Sequence, residues 1–119
     1  MKSFLLVIPR IADYGKQYVF PLGIAYVSAC MKEHGINVRC VNLCHSKETV
    51  GSVLAREIGD FAIDVICTGG VTVHWDEIRE VVETAKRIKP DIVAVVGGAV
   101  VTSAPDVVMN NMPVDIGVI

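Results

Sequence analysis

The sequence lacks the features that mark membrane, secreted and nucleic-acid-binding proteins. Its longest apolar run, residues 92–101, is about half of the roughly 20 residues that a membrane-spanning helix needs. It has no cluster of basic residues and a net charge of -2, so we expect neither nucleic acid nor a membrane surface as a partner. It also has no amino-terminal basic region followed by an apolar stretch and a cleavage site, which predicts a cytoplasmic location.

Cysteine spacings typical of metal and redox sites are absent as well. The four cysteines form no C-x-x-C pair, and three of them fall within predicted helices or strands, which favours buried thiols. Cys40, Cys44 and His45 are an alternative set of metal ligands, but their spacing matches no familiar zinc pattern. We therefore expect no metal site.

The familiar nucleotide-binding and catalytic motifs are missing. Neither G-x-G-x-x-G nor the phosphate-binding G-x-x-x-x-G-K-S/T occurs, so a Rossmann dinucleotide site and a P-loop are weakly supported. The first predicted strand ends in Pro9-Arg10 in place of the paired acids of a receiver domain. No Ser-His-Asp spacing or acidic pair suggests independent catalysis, and we assign no catalytic residue.

Apolar residues, in contrast, are abundant and occur in a regular order. They make up 52% of the 119 residues, in short runs that alternate with stretches of helical periodicity. The pattern predicts strands over 3–9, 37–43, 64–70, 92–96 and 115–119, and helices over 22–33, 47–58, 75–88 and 104–110. Continuously apolar strands are typical of a parallel sheet covered on both faces. The order predicts one α/β domain over 1–119, a doubly wound, flavodoxin-like or Rossmann-like three-layer sandwich with about five parallel strands.

The helix details rest on periodicity and on capping residues. In the first helix, one set of residues recurs close to the helical period and is predicted to face the core: Leu22, Ala25, Tyr26, Ala29 and Cys30. Ser46 is predicted to cap the second helix and Gly59 to end it.

Two strands end in a pair of glycines, and these corners are the candidate ligand site. Thr68-Gly69-Gly70 ends the third strand, and Gly97-Gly98 ends the fourth, with Thr102 shortly after it. Ligands of open α/β sheets bind beyond the carboxyl ends of the strands, and glycine leaves room for a ligand near the backbone. We expect Gly70 and Gly98 to face that ligand. A simpler interpretation, in which the glycines only make tight turns, stays open.

One long loop and two histidines lie near the same predicted edge. The segment 10–20, which carries Tyr14 and Tyr18, is long for a strand-to-helix connection, and such loops are often functional. His45 follows the second strand and His74 precedes the third helix, although a solvated loop histidine is the more frequent role at such positions.

Several segments together resemble the cobalamin-binding domain at the amino terminus of class B, cobalamin-dependent radical SAM enzymes. The most specific is Pro21-Leu22-Gly23-Ile24-Ala25-Tyr26, and Lys89-Pro90-Asp91 and Val95-Val96-Gly97-Gly98 add to it. The resemblance covers nearly the whole chain. It implies that cobalamin is the cofactor, with its nucleotide tail in the crevice at the glycine corners and its corrin ring above the strand ends.

The resemblance also implies a set of cofactor-binding residues and a partner domain. The residues are Pro21, Leu22 and Gly23, then Thr68, Gly69, Gly70 and Val71, then Gly97, Gly98, Ala99 and Thr102. The natural polypeptide is expected to continue beyond Ile119 into a radical SAM domain that binds S-adenosylmethionine and a 4Fe–4S cluster. Domain 1–119 alone is expected to be inactive.

One departure from other corrinoid domains bears on the cobalt. Domains such as that of methionine synthase carry D-x-H-x-x-G after the first strand, and its histidine ligates cobalt, whereas segment 10–20 contains no histidine. The resemblance therefore implies that cobalamin is held base-off, without a histidine lower ligand, for methyl transfer or related radical chemistry. Two alternatives stay open: a degenerate α/β docking module that no longer binds cobalamin, and a flavodoxin-like flavin binder.

Overall fold

The computed structural model describes residues 1–13, 15 and 21–119, and this part of the chain forms five strands and five helices. They are β1 (Ser3–Ile8), α1 (Leu22–Glu33), β2 (Asn37–Asn42), α2 (Val50–Asp60), β3 (Val65–Gly69), α3 (Trp75–Ile88), β4 (Val93–Gly97), α4 (Ala99–Ser103), α5 (Pro105–Asn111) and β5 (Ile116–Gly117). Short 3-10 turns at Leu43–His45 and Thr72–His74 precede α2 and α3. Tyr14 and Tyr18, which the sequence places in the candidate ligand loop, lie outside the described residues.

The strands form one parallel sheet in the order β2-β1-β3-β4-β5. β1 pairs with β2 along its whole length, from Ser3 opposite Asn37 to Ile8 opposite Asn42. β3 and β4 pair as far as Gly69 opposite Gly97, so the two glycine corners lie side by side. This strand order is that of the flavodoxin-like folds, and it confirms the predicted fold class.

One face of the sheet carries the main core. Alternate residues of the three central strands point to this face, namely Leu5, Val7, Ile66, Ala94 and Val96, and all five are fully buried. Helices α2 to α5 cover it, because their buried residues belong to the same cluster: Val53, Leu54, Ile78, Val81, Val82, Val100, Val101 and Val108.

Among the described helices, only α1 covers the opposite face, where it lies over β1 and β2. The remaining alternate positions of the strands point there: Phe4, Leu6, Ile8, Cys67, Val95 and Val118. At the far edge of this face, Ile116 and Val118 are each 51% exposed. The sheet is therefore covered unequally, and the face under α1 leaves room for a ligand.

The prediction of the buried face of α1 is wrong. Leu22 and Tyr26 are 61% and 75% exposed, and Ala29 and Cys30 are exposed as well. The side that faces the sheet carries Ile24, Val27, Ser28 and Met31 instead. Apolar residues occupy nearly every side of the first ten positions of α1, so periodicity does not distinguish the buried face from the exposed one.

The predicted start, cap and end of the second helix are also wrong. α2 begins three residues later than predicted, and its cap is Thr49, whose hydroxyl accepts the Ser52 N–H at 3.1 Å. Ser46 instead ends the preceding 3-10 turn, and Gly59 lies within α2. The helix predicted over 104–110 is confirmed as α5, which begins at Pro105, whereas the short helix α4 that precedes it was not predicted. No helix in the described ranges is long and apolar enough to cross a lipid bilayer.

Candidate functional site

An apolar cavity of about 740 Å³ lies between α1 and the sheet and extends to the carboxyl ends of the central strands. The strands contribute Phe4, Leu6, Ile8, Cys67 and Val95 to its lining, and Val118 lines it directly after β5. α1 contributes Ile24, Val27 and Met31. At the carboxyl edge the lining includes His74 and the four glycines of the two corners, Gly69, Gly70, Gly97 and Gly98. The cavity therefore has an apolar interior and an edge at which both glycine corners lie.

The two glycine corners are held together by main-chain hydrogen bonds. The Gly70 N–H donates to the Gly97 carbonyl at 3.4 Å, and the Gly70 carbonyl accepts the Val100 N–H at 2.9 Å. A Cβ atom on Gly69 would collide with the Gly97 carbonyl oxygen, and one on Gly98 would lie 3.0 Å from the Gly70 oxygen. Gly98 also has a φ of +88°, which favours glycine. At positions 69 and 98, the close approach of the backbones is enough to require glycine, whether or not a ligand binds.

Gly97 is different, because it has room for a side chain that would point into the cavity. A Cβ atom there would lie in ordinary contact with Val118, 3.5 Å from its Cβ. The position has no left-handed φ. The absence of a side chain at Gly97 therefore enlarges the cavity without being demanded by the fold.

The polar side chains of the cavity wall have limited capacity to bind a ligand. Thr68 is buried, and its hydroxyl donates to the Val7 carbonyl at 2.9 Å, which ties β3 to β1. Burial raises the pKa of the Cys67 thiol to about 11, so this group stays protonated at neutral pH and is a poor nucleophile or metal ligand.

Of the arginine and the two histidines near the carboxyl edge, only one histidine lines the cavity. The Arg10 guanidinium donates to the carbonyls of Leu43, Ser46 and Glu48, at 3.1, 3.1 and 2.6 Å, and so points toward the turn after β2. His74 lines the cavity, whereas His45 does not.

Seven of the eleven predicted site residues border the cavity: Pro21, Gly23, Thr68, Gly69, Gly70, Gly97 and Gly98. The other four, Leu22, Val71, Ala99 and Thr102, are exposed and do not line it. The Thr102 hydroxyl donates to the Gly98 carbonyl at 3.3 Å. Cofactor binding by these eleven residues stays a prediction.

Most of the apolar wall could not be recognised from the sequence. Phe4, Leu6 and Ile8 line the cavity, but β1 is apolar at every position from Phe4 to Ile8, so its sequence does not show which alternate residues face the cavity. Val95 and Val118 are hidden for the same reason. The sequence did allow one inference about the wall, because residues two apart on a strand point to the same face. Val95 lies two residues before Gly97 and Cys67 two before Gly69, so both could be expected on the face of the glycine corners.

The cysteine predictions are confirmed only in part. Cys44 is buried, and its thiol donates to the Pro9 carbonyl at 3.5 Å, while Cys67 is partly buried. Cys30 and Cys40 are exposed, which corrects the expectation of buried thiols. Within the described ranges, no three His, Cys, Asp or Glu side chains are grouped so that they could hold a metal ion.

The parallel sheet and the cavity at its carboxyl edge are the architecture of a ligand-binding α/β domain. A family model described as the B12 binding domain matches residues 11–119. The chain therefore belongs to the B12-binding domain family, which confirms the resemblance drawn from the sequence and supports cobalamin as the ligand. No curated protein matches the sequence.

Solved structures with a similar fold include TsrM, a radical S-adenosylmethionine methyltransferase from Kitasatospora setae. One TsrM structure, with tryptophan substrate and a SAM analogue bound, matches with a TM-score of 0.73, and another, with cobalamin and a 4Fe–4S cluster bound, with 0.70. Both matches have 16% identity and cover 88% of this chain, but 21% and 20% of the TsrM chain. The chain thus spans about a fifth of the length of TsrM.

The same fold also occurs in a Burkholderia pseudomallei protein described as pilus assembly-related. That match has a TM-score of 0.55 and 14% identity, and it covers 98% of this chain and 76% of the other. At such identities, the structural likeness shows the fold alone.

Proposed function

We propose that this chain holds cobalamin base-off as a module of a radical SAM enzyme. The residues that line the cavity under α1 would hold the nucleotide tail of cobalamin, and the carboxyl ends of β3 and β4 would support the corrin ring. The observation that carries the proposal is an apolar cavity that reaches the carboxyl edge of the sheet in a member of the B12-binding domain family.

The residues present fit an apolar aromatic group such as the benzimidazole of the tail. A volume of about 740 Å³ lies within the usual range of small-molecule sites, roughly 300–1,000 Å³. Val95 and Cys67 contribute to a wall without a charged group, and Gly97 leaves space beside them. α1 shields this space from water through Ile24, Val27 and Met31, so a bound tail would be desolvated.

The lower face of the corrin is proposed to have no histidine ligand. Segment 10–20 contains no histidine, and Arg10 is held by three carbonyls and stays protonated. Bound cobalamin supplies a cobalt centre for methyl transfer or related radical chemistry. The residues of this chain bind the tail, orient the ring and exclude water.

A radical SAM domain is the proposed partner, and it would hold S-adenosylmethionine and the 4Fe–4S cluster. The outer side of α1 supports a covering domain, because Leu22, Tyr26 and Cys30 form an exposed apolar stripe. TsrM is a radical SAM methyltransferase of which the similar region is about a fifth.

Titration of the chain with hydroxocobalamin, followed through the visible spectrum, tests the proposal. We expect saturable binding by the parent chain and at least about tenfold weaker binding by Gly97→Val, whose side chain enters the cavity. Urea unfolding of both proteins controls for loss of the fold.

The alternatives give different results in the same experiment. Absence of saturable binding by the folded parent chain would contradict the proposal and favour a docking module. A yellow cofactor that copurifies with the chain would favour a flavin binder.

A further inference from the structure

The interior of the cavity offers few hydrogen-bond donors to a ligand. Of the described residues that line it, only Cys67, Thr68 and His74 carry a side-chain donor. The others are aliphatic or aromatic, apart from the thioether of Met31 and the glycines.

These donors are weak, already engaged or distant from the interior. The Thr68 hydroxyl donates to the Val7 carbonyl at 2.9 Å, and the Cys67 thiol is a weak donor. His74 belongs to the 3-10 turn beyond the carboxyl end of β3, at the edge of the cavity.

Three main-chain carbonyls next to the cavity are also paired. The Gly97 carbonyl accepts from Gly70, the Gly70 carbonyl from Val100, and the Val96 carbonyl from Val118. A polar group on a ligand that entered this interior would lose its hydrogen bonds to water and find few new partners.

We propose that the cavity selects among corrinoids by the base of the nucleotide tail, accepting a benzimidazole and rejecting a purine. This inference rests on the proposed function, since it requires the tail to lie in the cavity. Dimethylbenzimidazole presents methyl groups and ring edges to an aliphatic wall. Adenine presents an exocyclic amine and additional ring nitrogens, and each such group buried without a partner weakens binding by roughly ten- to hundred-fold.

The coordination chemistry of cobalt, by itself, favours the opposite preference. Adenine is a weaker base than benzimidazole and therefore a weaker cobalt ligand, so its tail leaves the metal more readily. If release of the tail alone decided affinity, the adenine cobamide would bind more tightly. A preference for benzimidazole must therefore come from the protein.

Dissociation constants of the chain for three corrinoids test the inference. These are cobalamin, the cobamide with adenine as its base, and cobinamide, which has no nucleotide. We expect cobalamin to bind at least about tenfold more tightly than the adenine cobamide, which should bind no better than cobinamide. Equal binding of cobalamin and the adenine cobamide would overturn the inference while corrinoid binding stands. Absence of binding by all three would overturn the proposed function as well.

Two substitutions on β4 show whether the cavity wall causes the preference. Val95→Thr places a hydroxyl in the wall and should lower the ratio of the two affinities several-fold. Val93→Thr is the matched control, because Val93 lies on the same strand and face but outside the lining, and it should leave the ratio unchanged. Cys67→Ser is a second wall variant should Val95→Thr fail to fold. If folded variants at both wall positions kept the parent's ratio of affinities for cobalamin and the adenine cobamide, the cavity wall would not be the cause of the preference.

Discussion

Gly69 and Gly59 differ in what a side chain at each position would meet. A Cβ atom on Gly69 would collide with the Gly97 carbonyl oxygen, whereas one on Gly59, in α2, has nothing within 4 Å. We expect Gly69→Ala to lower the free energy of unfolding by about 1–3 kcal/mol, because the β3 and β4 backbones must separate. The control Gly59→Ala should raise it by up to about 1 kcal/mol, since alanine is the better helix former.

Urea unfolding without any ligand measures both variants. A Gly69→Ala protein as stable as the parent would show that the two corners are not as closely packed as their geometry indicates. The comparison also shows why position 98 is unsuitable for testing ligand binding. Its φ of +88° and its contact with Gly70 would make a side chain destabilising whether or not a ligand binds.

At the scale of elements, carboxylates at the starts of two strands tie the sheet together. Asp115 precedes β5 and accepts hydrogen bonds from Lys86 Nζ at 2.6 Å and from the Ala94 N–H at 2.8 Å. These contacts, the one from Lys86 first, lower the pKa of Asp115. Asp64, which precedes β3, accepts the Ser3 N–H at 2.9 Å, and this bond is the main cause of its lowered pKa.

The lowered pKa of Asp115 predicts a stability contribution that acid removes. Because the pKa is lower in the folded chain than in the unfolded chain, the contribution is complete above the unfolded value, near 3.8, and is lost as the pH falls through the folded value. Asp115→Asn should therefore lower stability at pH 7, by less than about 1 kcal/mol because the pair is exposed. Urea unfolding from pH 7 to pH 2.5 should show the difference in free energy of unfolding between parent and variant becoming smaller in acid. A difference that stays constant over this range would contradict the account.

The turn after β2 depends on a residue that follows β1. The Arg10 guanidinium donates to the carbonyls of Leu43, Ser46 and Glu48, and a lysine ammonium cannot reproduce this fork of donors. We expect Arg10→Lys to lower the free energy of unfolding by about 1–2 kcal/mol. Arg56→Lys is the control, because Arg56 pairs with Glu48 on the surface, and it should change stability by less than about 0.5 kcal/mol. Equal losses in the two variants would refute the anchoring role of Arg10.

At the scale of the whole molecule, the order of elements could be predicted because each strand is a short apolar run and α3 has a clear helical period. The approximate bounds predicted for α1 and α3 agree with the structure. The orientation of α1 could not be predicted, because the sequence of a helix that is apolar on most sides does not indicate which side is buried. The glycine corners were visible in the sequence, but the collision that requires Gly69 depends on the neighbouring strand.

The same limit applies to the candidate site. Half of its lining comes from strands without alternation, such as β1, where only the pairing of the strands and the position of α1 decide which residues face the cavity. The edge of the site could be predicted, since the carboxyl ends of parallel strands meet there. The apolar wall, on which the proposed binding of the tail depends, required the structure.

Electron paramagnetic resonance of the Co(II) form of cobalamin bound to the chain tests the central claim most directly. A nitrogen ligand on the lower face splits each cobalt line into a triplet, whether it belongs to the benzimidazole tail or to a histidine. The account predicts single lines without nitrogen splitting, because the tail lies in the cavity and segment 10–20 provides no imidazole. A triplet in the bound form would contradict the account, and its disappearance in His74→Ala or His45→Ala would identify the ligand as that histidine.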